Sequence, residues 1–347
     1  RVHGVVRKTR LLAETIKAGA LFYTLVLAFA MLALYYAIVW TEASRMDGYW
    51  GDNLLNQWGT SFKLFVHYLK LAFIPYPLIA DYTGVFPVST GFTEPMTLFC
   101  LLVVALYVVF AMRFFCNWPL LTLGMGWFFI SLLPVLQIVG FHEITADHFM
   151  YLPMVGVALS FGDLGARGLY SRNINVLVGT LILCVFVIFA FLTVTRNWVW
   201  VDQVTLWEDT YEKAPDSYRA NANLGQIYFE HFQRDPNRNP RLRESAIKFS
   251  KRAVEISPTD SLAYSNLGVI HREWGWKDYL QGNDQNAEEQ EKQALLYLNK
   301  AVLLDPENVW NQSNLGDVRK DLGMIWQGRG DLNRAKKERQ AALQAYE

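Results

Sequence analysis

Hydrophobic residues along this chain form long uncharged runs in the first half and a short helical repeat in the second half. A helix needs roughly 20 apolar residues to cross a bilayer. The runs predict five membrane spans, at about 18–40, 96–115, 120–139, 150–164 and 174–195. We therefore expect an all-α protein with a membrane domain, 1–198, followed by a water-exposed domain, 199–347.

Basic residues flank these runs unevenly, and this asymmetry predicts an orientation. Lys and Arg favour the cytoplasmic side of a membrane. The short run at 150–164 counts as a span because Arg113 and the pair Arg167 and Arg172 then fall on the same side as Arg1. The five spans alternate without contradiction, which predicts that the chain beyond Arg196 is extracytoplasmic.

The outer segment 58–82 is too broken to be a span. Its amphipathic run, Trp58–Ile74, predicts a helix that lies at the outer membrane interface or is partly inserted there. Lys63, His67 and Lys70 are spaced by four and three residues, so they share one helical face. We expect this basic face to meet lipid headgroups or an anionic ligand. A solvated face on a surface helix is the alternative.

Three units with a common Asn-Leu-Gly core follow the last apolar run. Each core precedes a second helix marked by small residues such as Ala246 and Ala253, and Pro258 and Pro306 close the first two units. This pattern is typical of tetratricopeptide repeats, which stack into an α-solenoid with a protein-binding groove. The predicted protein-binding positions are Asn223, Leu224, Asn266, Leu267, Asn314 and Leu315. The alternative is that the units only rigidify or cap the protein.

The units are longer than the roughly 34-residue standard of this repeat. The surplus falls at Arg234–Arg241 and Gly275–Ala287, which are rich in turn-forming or polar residues. We therefore expect insertions between the two helices of the first and second units.

Composition narrows the function only a little. The chain is 52% hydrophobic and has 32 basic and 32 acidic residues, and no basic stripe alternates with aromatic residues, so nucleic acid is not an expected partner. The three cysteines lie in or beside apolar runs, where they serve as small packing residues. No Walker loop, dinucleotide fingerprint or Ser-His-Asp arrangement is present.

Four polar residues stand together between two apolar runs: His142, Glu143, Asp147 and His148. Carboxylates and imidazoles bind divalent cations, but the six-residue spacing of the histidines fits no familiar motif, so no metal or cofactor is assigned. A second interpretation places the cluster near a lipid phosphate, with Lys63, His67, Lys70 and His148 as the cationic side. A third is that these residues simply end membrane helices in water.

The run Ala146–Pro153, the upstream segment Pro77–Tyr82 with Pro87, and the extracytoplasmic repeats together resemble the transmembrane-and-tetratricopeptide O-mannosyltransferases. These are glycosyltransferases of the C superfamily, which take a sugar from a polyprenyl-phosphate carrier. Relatives carry an arginine after the acid, where this chain has His148, which is only partly charged near neutral pH. The resemblance implies the second half of such an enzyme, because the family's catalytic acids lie in an early outer loop absent from this sequence.

Two functions follow as hypotheses. In the first, the chain is a membrane-anchored scaffold that binds other proteins through the repeat groove. In the second, it is the C-terminal part of a polyprenyl-phosphate-sugar-dependent protein glycosyltransferase. No residue of this sequence is assigned as catalytic under either hypothesis.

Overall fold

The computed structural model describes residues 52–138, 143–171, 174–234 and 241–346, together with the single positions 31, 50 and 140. In these ranges the regular structure is helical. The chain divides into two compact units, Arg1–Trp198 and Val199–Glu347.

The described part of the first unit contains five α-helices. They are α1 (Leu54–Phe73), α2 (Pro95–Phe114), α3 (Pro119–Leu132), α4 (Tyr151–Leu169) and α5 (Asn175–Val199). The Asn53 side chain caps α1 by accepting a hydrogen bond from the backbone N–H of Asn56. Proline stands at the first position of α2 and α3, where the missing N–H costs no helical hydrogen bond.

Three segments of the described residues are long and apolar enough to cross a membrane. They are Pro95–Phe114, Asp147–Leu169 with its leading 3₁₀ turn, and Asn175–Val199. The predicted span at 120–139 is shorter, because α3 ends at Leu132 and continues only as a 3₁₀ turn, Leu133–Val135, around Pro134. Its 14 α-helical residues are about 21 Å long. The predicted span at 18–40 lies outside the described residues.

Helices α3 and α4 cross with their backbones in contact. A Cβ added at Gly124 or at Gly156 would lie 2.3 Å from the carbonyl oxygen of the other glycine. Beside this crossing, the Ser160 hydroxyl donates to the carbonyl oxygen of Leu121 at 3.1 Å. Small residues of this kind allow helices to pack closely in a membrane, where association depends on van der Waals contact.

Helices α4 and α5 form an antiparallel hairpin that is also lined by glycine. A Cβ at Gly168 would meet the Val178 side chain at 2.9 Å, and one at Gly165 would meet Ile182 at 3.0 Å. The rest of α5 shows its apolar surface, and none of its 25 residues is buried by the described part of the chain. A helix of this composition, about 37 Å long, suits a lipid environment.

The second unit is a lone helix followed by three antiparallel helix pairs within the described residues. The helices are α6 (Gln203–Lys213), α7 (Tyr218–Arg234), α8 (Arg241–Ile256), α9 (Ser261–Leu280), α10 (Asp284–Leu304), α11 (Val309–Gly328) and α12 (Leu332–Tyr346). The glycine of each Asn-Leu-Gly core lies against the second helix of its pair. The contacts are Gly225 with Ser250, Gly268 with Leu298 and Gly316 with Tyr346. That the pairs form a tetratricopeptide solenoid stays a prediction.

The surplus residues of the second pair lengthen its helices. Helix α9 continues to Leu280 and α10 begins at Asp284, so the connection is a tight turn at Gly282, which has a φ of +79°. The expected polar insertion at Gly275–Ala287 is therefore wrong, because most of these residues extend the two packed helices. The first expected insertion lies largely outside the described residues.

Candidate functional site

Two loop segments of the first unit pair with each other. The backbone N–H of Tyr82 donates to the carbonyl oxygen of Thr145 at 3.1 Å, and that of Asp147 donates to Ile79 at 3.3 Å. The Thr145 hydroxyl donates to the Tyr68 hydroxyl of α1 at 2.7 Å. The pairing brings together the two loop segments on which the family resemblance rests.

The upstream segment is held in a tight turn by its own side chains. The Tyr82 hydroxyl donates to the carbonyl oxygen of Pro77 at 2.7 Å and accepts from the backbone N–H of Ile79 at 3.2 Å. One carboxylate oxygen of Asp81 accepts from the backbone N–H of Thr83 at 3.0 Å. Both Asp81 and Tyr82 are buried, so the turn is part of the packed loop region.

Asp147 forms an ion pair with Arg196 at the open end of the α4–α5 hairpin. The Arg196 Nε donates to Asp147 Oδ2 at 2.8 Å, and Nη2 lies 2.6 Å from the same oxygen. The side chains are only 8% and 12% exposed, with Asp147 the more buried. Arg196 was not predicted as a site residue; its signal in the sequence is a single arginine at the end of a long uncharged run.

The other polar residues of the predicted cluster are arranged differently. His148 is half-buried, and its ring lies 4.4 Å from that of Phe149 between centroids. Glu143 is held through its backbone, because its carbonyl oxygen accepts from Gln137 Nε2 at 2.7 Å. His142 lies outside the described residues. Within those residues no group of three His, Cys, Asp or Glu side chains could hold a metal ion.

Lys63 does not face a headgroup, contrary to the interpretation of its helical face. Its buried ammonium donates to Glu94 Oε1 at 2.7 Å and to the carbonyl oxygen of Val88 at 3.2 Å. The other Glu94 oxygen accepts from Thr90 and Thr97. The hydrogen bond from Lys63 lowers the pKa of Glu94 to about 2. The charge of Lys63 is therefore compensated by Glu94 within the protein, because a buried ammonium requires a partner of opposite charge.

His67 and Lys70 occupy two different environments. The His67 ring lies edge-on to Tyr82 and Phe86, at 4.9 and 5.3 Å between centroids. Burial, with a smaller effect from Lys70, lowers the pKa of His67 to about 4, so its ring is neutral at pH 7. Lys70 is exposed in the last turn of α1. Of the three residues predicted to form a basic face, Lys70 alone offers an exposed charge.

The predicted protein-binding positions of the second unit separate into core and surface. Leu224, Leu267 and Leu315 are buried inside the unit, so they cannot contact a partner as predicted; their role is packing. Asn223, Asn266 and Asn314 are half-buried. Asn223 Nδ2 donates to the carbonyl oxygen of Arg219 in its own helix at 2.7 Å. The repeated leucine reflects the helix-pair fold, whereas the asparagines remain near the surface.

Large apolar side chains are exposed at the beginning of two helices of the second unit. Leu262, in the first turn of α9, is 58% exposed, and Val309 and Trp310, in the first turn of α11, are 73% and 80% exposed. Asp260 and Asn308 cap these helices. The cap residues could have located these first turns in the sequence, but burial of a first-turn side chain depends on packing that the sequence pattern does not show.

No protein-family model matches this chain, and no curated protein matches its sequence significantly. The resemblance to the O-mannosyltransferases thus rests on the residues quoted above.

Proposed function

We propose that this chain is a membrane-anchored protein-interaction module whose second unit binds a partner protein. The observation that carries the proposal is the exposure of Leu262, Val309 and Trp310. Tryptophan is enriched among the residues that dominate binding energy at protein interfaces. Val309 and Trp310 are adjacent in the sequence, and large apolar side chains that are exposed together mark surfaces that contact other molecules.

The exposed residues recur at one repeat position. Leu262 and Trp310 each stand five residues before the buried leucine of their repeat, Leu267 or Leu315. The corresponding residue of the first repeat is Arg219, whose guanidinium carbon lies 5.9 Å from the centroid of the Trp207 ring. Three successive repeats thus offer two apolar anchors and one cation, which suits a partner segment with apolar side chains and an acidic end.

An ion-pair network joins the helices that carry the two apolar anchors. Arg272 of α9 donates through Nε to Asp321 of α11 at 2.8 Å, and its Nη1 lies 3.2 Å from Asp317. A rigid presentation of anchor residues lowers the entropic cost of binding. This network supports the proposal because it limits the relative movement of α9 and α11.

The proposal is tested by photo-crosslinking in membranes from cells that express the full chain. A photoreactive amino acid at position 309 should capture a defined protein, and Leu262→Ser with Trp310→Ser should lower that yield by about 30-fold, the loss expected for removing a dominant contact. Leu343→Ser is the matched control, because Leu343 is similarly exposed on α12. An unchanged yield in the double variant would refute the assignment of this surface.

A second candidate function is the C-terminal part of a glycosyltransferase that uses a polyprenyl-phosphate sugar. The observation that favours it is the Asp147–Arg196 pair beside the packed loop segments. Family relatives place an arginine directly after the acid, and here an arginine reaches the acid from α5. Arginine suits recognition of a phosphate, so a lipid phosphate could engage Arg196 at this position.

This candidate is tested by titrating the full chain with farnesyl phosphate and with farnesol, which has the same tail and no phosphate. The second function requires tighter binding of the phosphate and a loss of this preference in Arg196→Gln. Lys70→Gln serves as a control, since it removes an exposed charge elsewhere in the same unit. Equal binding of the two ligands would exclude this function for the described site.

A further inference from the structure

An apolar groove of about 350 Å³ opens on the surface of the first unit between α1, α2, α3 and α4. Its walls include Leu69, Phe73, Tyr107, Phe110, Leu121 and Leu164. The two hydroxyl groups along it are satisfied by the protein. Tyr107 donates to the carbonyl oxygen of Met125 at 2.8 Å, and Ser160 donates to that of Leu121 at 3.1 Å. The groove therefore offers hydrocarbon to an occupant.

A strip of two aromatic rings between two cations lies where α2 and α4 end and α3 begins. The guanidinium carbon of Arg113 is 5.9 Å from the centroid of the Phe114 ring, and that of Arg167 is 4.4 Å from the centroid of a Trp118 ring. The two rings stand 6.3 Å apart, edge to face. Arg113, Phe114, Trp118 and Arg167 are thus contiguous, and we name them the arginine strip.

The groove and the arginine strip are neighbours. The ring of Phe110, in the groove wall, lies 4.5 Å from that of Phe114, in the strip. Leu121 follows Trp118 by three residues and Leu164 precedes Arg167 by three, so each is about one helical turn, roughly 5 Å, from the strip. The hydrocarbon surface therefore continues directly to the cations.

We propose that this groove and the arginine strip bind one anionic phospholipid of the surrounding bilayer. One acyl chain lies in the groove, and the phosphate lies at Arg113 and Arg167. A volume of about 350 Å³ accommodates part of a hydrocarbon chain. It is too small for a helix, which is about 10 Å wide with its side chains. This site is separate from the protein-binding role proposed above.

Charge complementarity selects an anionic headgroup. The arginine strip carries two arginines, and Arg167 pairs with one acid, Asp163, whose carboxylate accepts from Arg167 Nε at 3.0 and 3.1 Å. This contact uses the Nε edge and holds the guanidinium near Trp118, while 44% of the Arg167 side chain stays exposed. The C-terminal ends of α2 and α4 add partial negative charge that favours arginine there. Trp118 fits a membrane border, where amphipathic rings are enriched.

The test is native mass spectrometry of the full chain, purified in detergent and titrated with phosphatidylglycerol or with phosphatidylcholine of the same acyl composition. Phosphatidylglycerol should bind more tightly. Each basic side chain near anionic lipid is worth about fivefold in affinity, so Arg113→Gln with Arg167→Gln should remove about 25-fold of the preference. Leu164→Trp should weaken both lipids by filling the groove.

Two controls keep the result decisive. Arg252→Gln removes an exposed arginine of the second unit and should leave the preference unchanged. Arg113→Lys with Arg167→Lys keeps the charge and should keep most of the preference, which separates charge from a folding defect. The proposal is overturned if the native chain binds both lipids equally, or if the glutamine variant retains its preference for phosphatidylglycerol.

Discussion

Arg196, near the end of α5, places its Nη2 2.6 Å from Oδ2 of Asp147, at the start of the turn that leads into α4. At the other end of the same hairpin, Gly168 packs against Val178. The α4–α5 hairpin is therefore fixed by an ion pair at one end and by close glycine contacts at the other.

Removing one partner of this ion pair should destabilise the first unit. Arg196→Gln leaves the Asp147 carboxylate buried without its cation, which costs about 3 kcal/mol in comparable buried pairs. Adding Asp147→Asn should restore much of the loss, because the uncompensated charge disappears. Thermal unfolding of the full chain in detergent, monitored for all four members of the double-mutant cycle, measures the coupling. If the loss of stability in the double variant equals the sum of the losses in the two single variants, the pair contributes no specific stabilisation.

The α3–α4 crossing should not tolerate a methyl group. Gly156→Ala places its Cβ 2.3 Å from the Gly124 carbonyl oxygen, so the helices must separate. We expect a loss of about 2 kcal/mol, the usual cost of overpacking. Gly162→Ala on the same helix is the matched control, since its added Cβ would meet no atom within 4 Å beyond the adjacent residues and backbone of α4, and it should be neutral or slightly stabilising. The measurement is the unfolding transition of each variant in the same detergent. Equal stability of the two variants would contradict the prediction.

The ion pair between the buried Lys63 and the partly exposed Glu94 predicts an acid-sensitive first unit. The pKa of Glu94 is lowered to about 2, so its contribution to stability is complete above 4.5 and is lost as the pH falls towards 2. Lys63→Met removes the largest cause of this lowered pKa and leaves the hydrogen bonds from Thr90 and Thr97. We expect the variant to be less stable at pH 6 and to lose less further stability between pH 4.5 and pH 2. The same acid sensitivity in both proteins would contradict this assignment.

Long-range patterns of the chain were predictable, whereas the partners of its charges were not. Uncharged runs such as Asn175–Val199 predict helices because their composition alone makes them suited to lipid. The spacing of Lys63 and Lys70 correctly predicted a helix, which spans Leu54–Phe73. The partner of Lys63 was not predicted, because Glu94 lies 31 positions away in the sequence. No local rule relates two such residues, so burial of the ammonium follows only from the packed loop.

The candidate site shows the same distinction. The predicted topology put the loop near Asp147 and the segment near Tyr82 on the same face of the membrane, but it did not predict that the two segments pair. Arg196 was missed because its contact with Asp147 depends on how α5 packs beside α4. The repeated leucines, such as Leu267, were recognised as a pattern, but their burial assigns them to the core.

The buried Glu291 should make the second unit less stable as the pH rises. Its side chain is fully buried on α10, and neither carboxylate oxygen has a hydrogen-bond partner among the described residues. Burial, reinforced by Asp321 and Glu273 and opposed by Arg272, raises its pKa from 4.5 to about 9. The folded state therefore holds a proton that the unfolded chain releases, so the stabilisation is complete below pH 4.5 and is lost as the pH rises through 9.

Glu291→Gln tests this prediction, because glutamine keeps the shape of the protonated acid and cannot ionise. At pH 7 the native chain must take up a proton at Glu291 when it folds, which costs free energy that the glutamine variant does not lose. The variant should therefore be more stable by on the order of 3 kcal/mol.

The measurement is the unfolding temperature of the full chain at pH 5, 7 and 9, followed by tryptophan fluorescence. Trp274 is buried on the neighbouring helix α9 and reports on this region. Glu289→Gln, an exposed position on α10, is the control and should keep the native pH profile. An identical pH profile for Glu291→Gln and the native chain would mean that Glu291 is ionised in the folded state, with its charge compensated by Arg272.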